Sequence, residues 1–380
     1  MPLPEIGIGI EASVAARLAR MRIPAHRLDR QLISRRRFAA AADVVAWFGA
    51  MQAQDYLAAQ WALGLRTPRA TEATIEAAIA SGRVIRTHLF RGTWQYVARE
   101  DVRWTLGLVG ARVIASQASR YRELDLDART LRRCGELFAK ALVGGQQLTR
   151  REMGAVLARG RIPAVSRRLS HVLAHAELGG VICSGGRRGK QPTFALLDEI
   201  APNAHVRKRE EALAELALRY FQSRGPATMR DFTWWTGFTL GDAREALDLA
   251  KVKLVSERVD GETYWLVDGK MVSRPSPSAH LLPAFDEYLV GYRDRSALID
   301  PQYLRLVNAG GGMLNPAAVI DGRVVGTWKR TLGKQAVAIT VRPFRGLRGP
   351  ERDAIIAAAE RYAAFLGLAG RISIQPSNRD

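Results

Sequence analysis

The chain has 380 residues, of which 47% are hydrophobic and 7% aromatic, and its formal net charge is +20. This length and apolar content exclude an intrinsically disordered chain and indicate a globular protein of several modules. Arginine and lysine recur along the whole chain, which favours a long polyanion such as nucleic acid as the partner. Charge alone does not decide this, because an arginine-rich proteome makes many of its proteins basic.

The first 24 residues predict a loose N-terminal extension. Isoleucine and glycine alternate over residues 6–10 before Glu11 introduces a charge, and no long hydrophobic segment follows. The stretch is too short for a signal peptide or a membrane span.

The two cysteines, Cys134 and Cys183, are too few and too far apart for a zinc cluster or a disulfide framework, so we expect a protein of the reducing cytoplasm.

Residues 25–125 predict a first module of three helices and a hairpin. Apolar residues recur with helical periodicity in three segments: Asp43–Ala50, Leu57–Leu65 and Thr71–Ala80. Two strand-like segments follow around Gly92: Val84–Phe90 and Thr93–Val97. Helices followed by a short hairpin are typical of a winged helix, which is a variant of the helix-turn-helix.

Residues 126–200 predict the clearest module. A helix over Leu131–Leu142 is followed by one that starts at Thr149, whose spacing to Glu152 is that of a capping box. The third helix begins near Ser166 and carries an apolar stripe: Leu169, Val172, Leu173 and Ala176. A basic loop over residues 185–190 then joins two strand-like runs: Val181–Ser184 and Thr193–Leu197. Three helices and a basic hairpin again predict a winged helix.

The same order returns in residues 205–272. A helix with apolar residues from Leu213 to Tyr220 precedes a second one capped by Thr228 with Asp231, and a third covers Ala243–Ala250. A hairpin over Lys253–Val267 is turned by an Asp-Gly pair at residues 260–261. The prolines and serines of residues 273–278 then predict a domain boundary.

Residues 279–380 predict a different kind of domain. They contain a hairpin over Ala317–Trp328, a strand over Ala336–Val341 and a helix over Glu351–Leu366, which together predict an α+β domain. The fold class we predict is mainly α with small β-hairpins (α+β), with tandem winged-helix modules followed by this C-terminal α+β domain.

The usual catalytic signatures are missing from the sequence. It contains neither a G-x-x-x-x-G-K-[ST] loop nor a G-x-S-x-G elbow. His171 and His175 have the spacing of zinc ligands on a helix, but no carboxylate lies between them, so a surface face or phosphate contact is favoured over a metal. Glycines 310–312 lack the strand and helix of a phosphate loop and predict a turn. We therefore predict no metal ion and no cofactor.

Residues 51–56 (Met-Gln-Ala-Gln-Asp-Tyr) lie between two predicted helices of the first module. A Gln-x-Gln string by itself is weak, because exposed glutamines are common and an amide can simply satisfy backbone groups in a helical connection. A neutral amide can also position water, since its carbonyl accepts and its NH₂ donates hydrogen bonds. Asp55 either caps the following helix or places negative charge near a cation.

The Gln-x-Gln string occurs together with several other sequence segments, and the whole set resembles the AlkZ branch of the AlkZ/YcaQ family of winged-helix DNA glycosylases. The resemblance covers roughly residues 28–345, with further matches at residues 89–94, 281–288, 292–295, 321–323 and 326–330. The catalytic motif of that family is two glutamines flanking an apolar residue, which Gln52 and Gln54 match. Where the family usually has His after the Arg-Gly-Thr-like triplet and one further residue, this chain has Gln95, so its rate or selectivity can differ.

The resemblance implies a monofunctional glycosylase that acts on N7-alkylated purines, including interstrand crosslinks. An alkylated N7-guanine already carries a positive charge and departs without protonation, so positioning water suffices while the sugar develops oxocarbenium character. Because a glutamine pair offers no amine nucleophile, the expected product is an abasic site without strand cleavage.

Basic and polar residues on the predicted DNA-facing elements are candidate DNA contacts. They are Arg91, Thr93, Gln95, Arg167, Arg168, His171, Arg187, Arg188, Lys190, Lys329 and Arg330. Each singly can also be an ordinary solvated surface residue. Trp94 and Trp328 are expected to pack in the core or a hairpin rather than to act as wedges in DNA.

The sequence thus leads to a cytoplasmic, nucleoid-associated monomer that binds double-stranded DNA with alkylated bases and has no membrane association. The alternative is a non-catalytic winged-helix regulator, and a third hypothesis is an architectural DNA-binding protein. Release of free base from alkylated DNA separates the glycosylase hypothesis from the other two.

Overall fold

The structure, a computed structural model, describes residues 23–163, 165–269, 276–310 and 312–377. Residues 1–22 of the predicted extension and residues 273–275 of the predicted boundary therefore lie outside the described residues. The chain divides into two compact units. One, here the glutamine unit, contains residues 38–56 and 72–213, and the other, here the five-stranded unit, contains described residues 23–37, 57–71 and 214–377.

The glutamine unit combines helices with two three-stranded antiparallel sheets. Its helices are α2 (Ala41–Phe48), α4 (Glu72–Ala80), α5 (Val102–Ser116), α6 (Ala118–Glu123), α7 (Ala128–Leu142), α8 (Arg150–Arg159), α9 (Ser166–Leu178) and α10 (Leu197–Ile200). Its strands are β1 (Met51–Gln52), β2 (Val84–His88), β3 (Trp94–Ala98), β4 (Leu148–Thr149), β5 (Ile182–Arg188) and β6 (Gln191–Leu196). The strand orders are β1-β3-β2 and β4-β6-β5.

Local signals explain the α7 to β6 part of this unit. The Thr149 hydroxyl accepts from the Glu152 N–H, and the Glu152 carboxylate accepts from the Thr149 N–H at 2.7 Å, which confirms the predicted capping box. The predicted stripe of α9 is buried, with Val172 and Leu173 each 1% exposed. It joins a core with Phe138 and Met153, so three helices and the β5/β6 hairpin surround one apolar cluster.

The five-stranded unit contains the C-terminal sheet and the helices around it. Residues 23–30 are helical (α1), and α3 (Tyr56–Arg66) and α11 (Arg209–Arg224) each have residues in both units. The other helices are α12 (Met229–Thr236), α13 (Leu240–Ala250), α14 (Glu287–Val290), α15 (Leu304–Val307) and α16 (Gly349–Leu366). The strands are β7 (Val255–Val259), β8 (Glu262–Leu266), β9 (Ala279–Leu282), β10 (Asn308–Gly310), β11 (Met313–Leu314), β12 (Ala317–Ile320), β13 (Arg323–Leu332), β14 (Ala336–Pro343) and β15 (Ala369–Ile374).

Five of these strands form one sheet in the order β15-β14-β13-β12-β9. Its pairs are antiparallel except β14 with β15, which run parallel because α16 carries the chain back between them. Trp328 is 5% exposed and its indole donates to the Leu282 carbonyl at 2.7 Å, as a packing residue does. The sequence predicted the β12/β13 hairpin, β14 and α16, while β9 and β15 went unpredicted. The mixed helix and strand content agrees with the predicted α+β class.

Candidate active site

The two glutamines of the Gln-x-Gln motif lie on and just after β1, in the glutamine unit. Gln52 pairs with Gln95 of β3 and is 9% exposed, whereas Gln54 follows the strand and is exposed. The N–H of Trp94 donates to Oε1 of Gln54 at 3.3 Å. The amide nitrogen of Gln54 has no hydrogen-bond partner among the described residues, so it can bind a ligand while the oxygen stays fixed.

Arg86 holds the backbone of this motif in place. Its Nε donates to the Ala53 carbonyl at 2.9 Å, and one terminal nitrogen lies 3.5 Å from the Gln54 carbonyl oxygen. The guanidinium also stacks over the Trp94 ring at 4.1 Å. Burial lowers the pKa of Arg86 from the ordinary value. The side chain is only 5% exposed, so this cation holds the motif from inside the unit.

A buried carboxylate also fixes the side chain of Trp94. Oε2 of Glu177, in the last turn of α9, accepts from the Trp94 indole at 3.2 Å and forms a short hydrogen bond with Nδ1 of His88. The His88 and Trp94 rings lie 4.4 Å apart. Glu177 is 0% exposed, and its Oε1 has no partner in the described part of the chain. The end of α9 is thus connected through Trp94 to Gln54.

Tyr56 and Arg187 form a second polar group beside Arg86. The Tyr56 hydroxyl donates to Glu76 at 2.9 Å, and Arg187 lies 3.8 Å from the same carboxylate and 5.4 Å from the Tyr56 ring. Burial, then the neighbouring Tyr96 and Glu76, raises the pKa of Tyr56 far above its usual value. Tyr56 is therefore a neutral hydrogen-bond donor under ordinary conditions.

A row of buried polar side chains lies on the Gln52 face of the sheet. Gln95 is directly opposite both Gln52 and Thr87, and cross-strand partners share one face. Gln95 is 1% exposed and Thr87 is 0% exposed. Oε1 of Gln95 and Oγ1 of Thr87 have no hydrogen-bond partner within the described ranges. Because Gln95 is buried, its predicted contact with DNA would require the surrounding side chains to move. Its position opposite Gln52 instead favours a role in holding the glutamine motif.

A family model described as "DNA glycosylase AlkZ-like" matches residues 45–365, which include the whole of this site. The chain belongs to the AlkZ-like family of DNA glycosylases. It is 25% identical over 368 residues to an interstrand DNA cross-link repair glycosylase of Streptomyces sahachiroi, covering 93% of this chain and 96% of that protein. The solved structure of the Streptomyces sahachiroi DNA glycosylase AlkZ is similar with a TM-score of 0.76 and 25% identity, over 93% of this chain and 98% of that one.

The AlkZ-like chain uses several of the predicted DNA contacts in internal interactions. Arg168 donates to the carbonyls of Leu124 and Asp125, and Arg188 contacts Glu152 at 2.8 Å. His171 and His175 lie edge-on to Tyr121, and burial lowers the pKa of both. Arg167 and Lys190 are exposed and form no ion pair within the part of the chain that the structure describes. Arg188 is also exposed but is paired with Glu152, so Arg167 and Lys190 are the exposed cations of this group without such a pair among the described residues.

The remaining candidates are spread over both units. Arg91 is half-buried with a positive φ of 56°, and the Thr93 hydroxyl donates to the Phe90 carbonyl at 3.1 Å, so both shape the β2/β3 turn. Lys329 is exposed on β13, and Arg330 lies over the Tyr362 ring at 5.4 Å in the five-stranded unit.

No group of three or more metal-binding side chains occurs among residues 23–163, 165–269, 276–310 and 312–377. No helix in these ranges is long and apolar enough to span a membrane.

Sequence reasoning missed Arg86, His88 and Glu177. A signal was present in each case: Arg86 and His88 alternate within a strand that is otherwise apolar or small, and Glu177 is an acid amid the apolar residues at the end of α9. A buried charge in an apolar segment needs a partner, and that requirement points to a site. The partners come from distant parts of the chain, so the sequence alone did not supply them.

Proposed function

We propose that this AlkZ-like chain is a DNA glycosylase that hydrolyses the N-glycosidic bond of cationic N7-alkylated purines in duplex DNA. The observation that carries the proposal is Gln54, whose oxygen is held by the Trp94 N–H while its exposed amide nitrogen has no partner among the described residues. The Streptomyces sahachiroi relative is named for interstrand cross-link repair, and we extend the proposal to unhooking of such crosslinks.

The chemistry follows from the hydrogen-bonding capacity of the amides. Gln52 and Gln54 cannot deprotonate water at neutral pH, but they can hold it in line with the sugar carbon. A cationic purine departs as a neutral base without an acid, and the sugar becomes an oxocarbenium-like cation that the water attacks while losing a proton to the solvent. The buried oxygens of Gln95 and Thr87, on the Gln52 face, have unmet hydrogen-bonding capacity that suits ordered water. With no amine nucleophile in the pair, the strand stays intact and the enzyme is monofunctional.

DNA binding is assigned to the helical modules. We propose winged-helix modules over residues 25–125, 126–200 and 205–272, followed by the C-terminal α+β domain at residues 279–380. Helices α7 to α9 with the β5/β6 hairpin, and α11 to α13 with the β7/β8 hairpin, have the element order of this motif. Arg167 and Lys190 are the exposed cations best suited to phosphates. We further propose a monomer that acts at the cytoplasmic nucleoid.

The decisive experiment measures free base released from a duplex that carries one N7-methylguanine. Release above the spontaneous rate, with an abasic strand that breaks only after alkali treatment, is expected. The alternative, a non-catalytic winged-helix regulator, predicts binding of the same duplex with release no faster than in buffer. Strand cleavage without alkali would instead contradict the monofunctional assignment.

Replacing Arg86 tests whether the motif needs its backbone brace. Arg86→Gln removes the Nε donor to the Ala53 carbonyl and the stack on Trp94, so Gln54 should lose its fixed position. Misplacement of a positioning group costs up to about a hundredfold in rate. We expect single-turnover base release to slow by about tenfold to a hundredfold, with duplex affinity little changed.

Arg83→Gln is the matched control, because it removes the same charge from an exposed residue of the same unit. Arg86→Lys should restore part of the rate, since an ammonium can still donate to the Ala53 carbonyl. Equal slowing by Arg83→Gln and Arg86→Gln would mean that net charge, and not positioning, sets the rate.

A further inference from the structure

A cleft of about 580 Å³ in the five-stranded unit lies outside the glutamine motif. Its apolar walls include Ile33, Pro68 and residues of α16, while its polar lining is Ser34, Arg36, Ser278, His280 and Arg361. This volume is in the range of small-molecule sites. Among the described residues, the lining contains two cations and no carboxylate, so its charge favours an anion.

Arg361 and Arg36 supply the positive charge. The Arg361 guanidinium donates to the Ala279 carbonyl at 2.6 Å and has no ion-pair partner among the described residues. Its partial burial, and then the nearby charge of Arg36, lowers the pKa of Arg361. Two guanidinium groups close enough to repel each other are stabilised when an anion binds between them.

His280 supplies an unpaired polar group to the cleft. It is 8% exposed, it lines the cleft, and its Nε2 has no hydrogen-bond partner in the described ranges. Burial, followed by the charges of Arg361 and Arg36, lowers the pKa of His280 to about 3, so the ring is neutral at ordinary pH. A neutral ring presents one N–H donor, and an unpaired donor or acceptor at this depth favours a polar ligand. The carboxylate that opposes this lowering of the His280 pKa is Asp321, which is hydrogen-bonded to Ser276 and to Ser278.

We propose that this cleft binds a phosphate group, held by the guanidinium groups of Arg36 and Arg361 with hydrogen bonds from His280 and Ser34. Guanidinium groups and hydroxyls match the several oxygens of a phosphate. The cleft is larger than a phosphate ion, and its apolar walls leave space for an attached organic group. The phosphate belongs either to a free monoester such as a nucleotide or to a DNA backbone.

The test titrates the full chain with inorganic phosphate, with deoxyguanosine monophosphate and with undamaged duplex, at constant ionic strength. The readout is the imidazole NMR signal of His280. A saturable shift is expected with phosphate or the nucleotide. Arg361→Gln should weaken this binding about tenfold or more, because it removes a charge-assisted hydrogen bond. Arg352→Gln, which removes an exposed charge from the same helix, should leave it unchanged.

The competition arm identifies the source of the phosphate. Displacement of the nucleotide by duplex assigns the cleft to the DNA backbone, and its persistence assigns the cleft to a free phosphate ester; both uphold a phosphate site. The wild-type His280 signal needs no variant, so a destabilised Arg361→Gln protein does not obscure the result. Absence of any saturable shift with all three probes, or equal affinities of Arg361→Gln and Arg352→Gln, would overturn the proposal. Base release is not measured, so the outcome is independent of the proposed glycosylase activity.

Discussion

A Gln52→Ala, Gln54→Ala variant should release N7-methylguanine at least about a hundredfold more slowly than the wild type, because removing preorganised hydrogen-bonding groups has effects of this size. Its affinity for undamaged duplex should stay the same, since neither amide carries charge. Gln54 is exposed, whereas Gln52 is buried with 9% exposure, so unchanged duplex affinity also shows that the variant is still folded. Single-turnover base release and equilibrium duplex binding measure the two quantities separately.

Gln146→Ala is the matched control, because Gln146 is an exposed glutamine of the same unit. It should release base at the wild-type rate. If the double variant keeps wild-type activity, water is held by other groups and the assignment of Gln52 and Gln54 fails. If it loses duplex binding together with activity, the two amides serve recognition and not the reaction.

Features that depend on neighbours in the sequence were predictable. The capping box of Thr149 and Glu152, and that of Thr228 and Asp231, need residues only three positions apart, and both are present. The α9 stripe follows from helical periodicity, and the Asp-Gly turn at residues 260–261 joins β7 to β8 as expected. These signals are strong because the interactions that produce them involve only residues that are close together in the sequence.

Features that depend on distant partners were not predictable. Strand β1 has two residues, too few for an alternating pattern, and exists because its backbone pairs with β3 more than forty residues later. Glu177 and His88 are likewise 89 residues apart and meet only in the folded unit. The sequence therefore indicated the glutamines of the site but not the side chains that hold them.

The basic residues show a second limit of sequence reasoning. Composition counts every arginine as a positive charge available to DNA, whereas the fold pairs some of them internally. Arg187 is near Glu72 and Glu76, and Arg188 contacts Glu152. Ion pairs at the surface are weak, so these arginines can still exchange a carboxylate for a phosphate, but each exchange reduces the net gain on binding.

Whether the site also contains an acid for the departing base decides its substrate range. Of the titratable groups near the glutamines, Asp55 and His88 are the two that we choose to test. Asp55 is exposed, whereas a carboxylic acid that donates a proton to a leaving group usually lies in a buried, apolar site. His88 is held at Nδ1 by Glu177, and its side chain is 11% exposed, so only its other nitrogen can face a substrate. Neither arrangement is needed for a base that already carries a positive charge.

Cationic N7-methylguanine should therefore be released at least about a hundredfold faster than neutral lesions such as uracil or 1,N6-ethenoadenine, since a general acid contributes a factor of at least this size to a neutral leaving group. The measurement is single-turnover release from matched duplexes with one lesion each, using the wild type, Asp55→Asn and His88→Gln. Both variants should retain the preference, because water positioning by Gln52 and Gln54 is unchanged. Comparable wild-type rates on neutral and cationic lesions would refute this mechanism. Loss of neutral-lesion release in one variant alone would identify that residue as the acid.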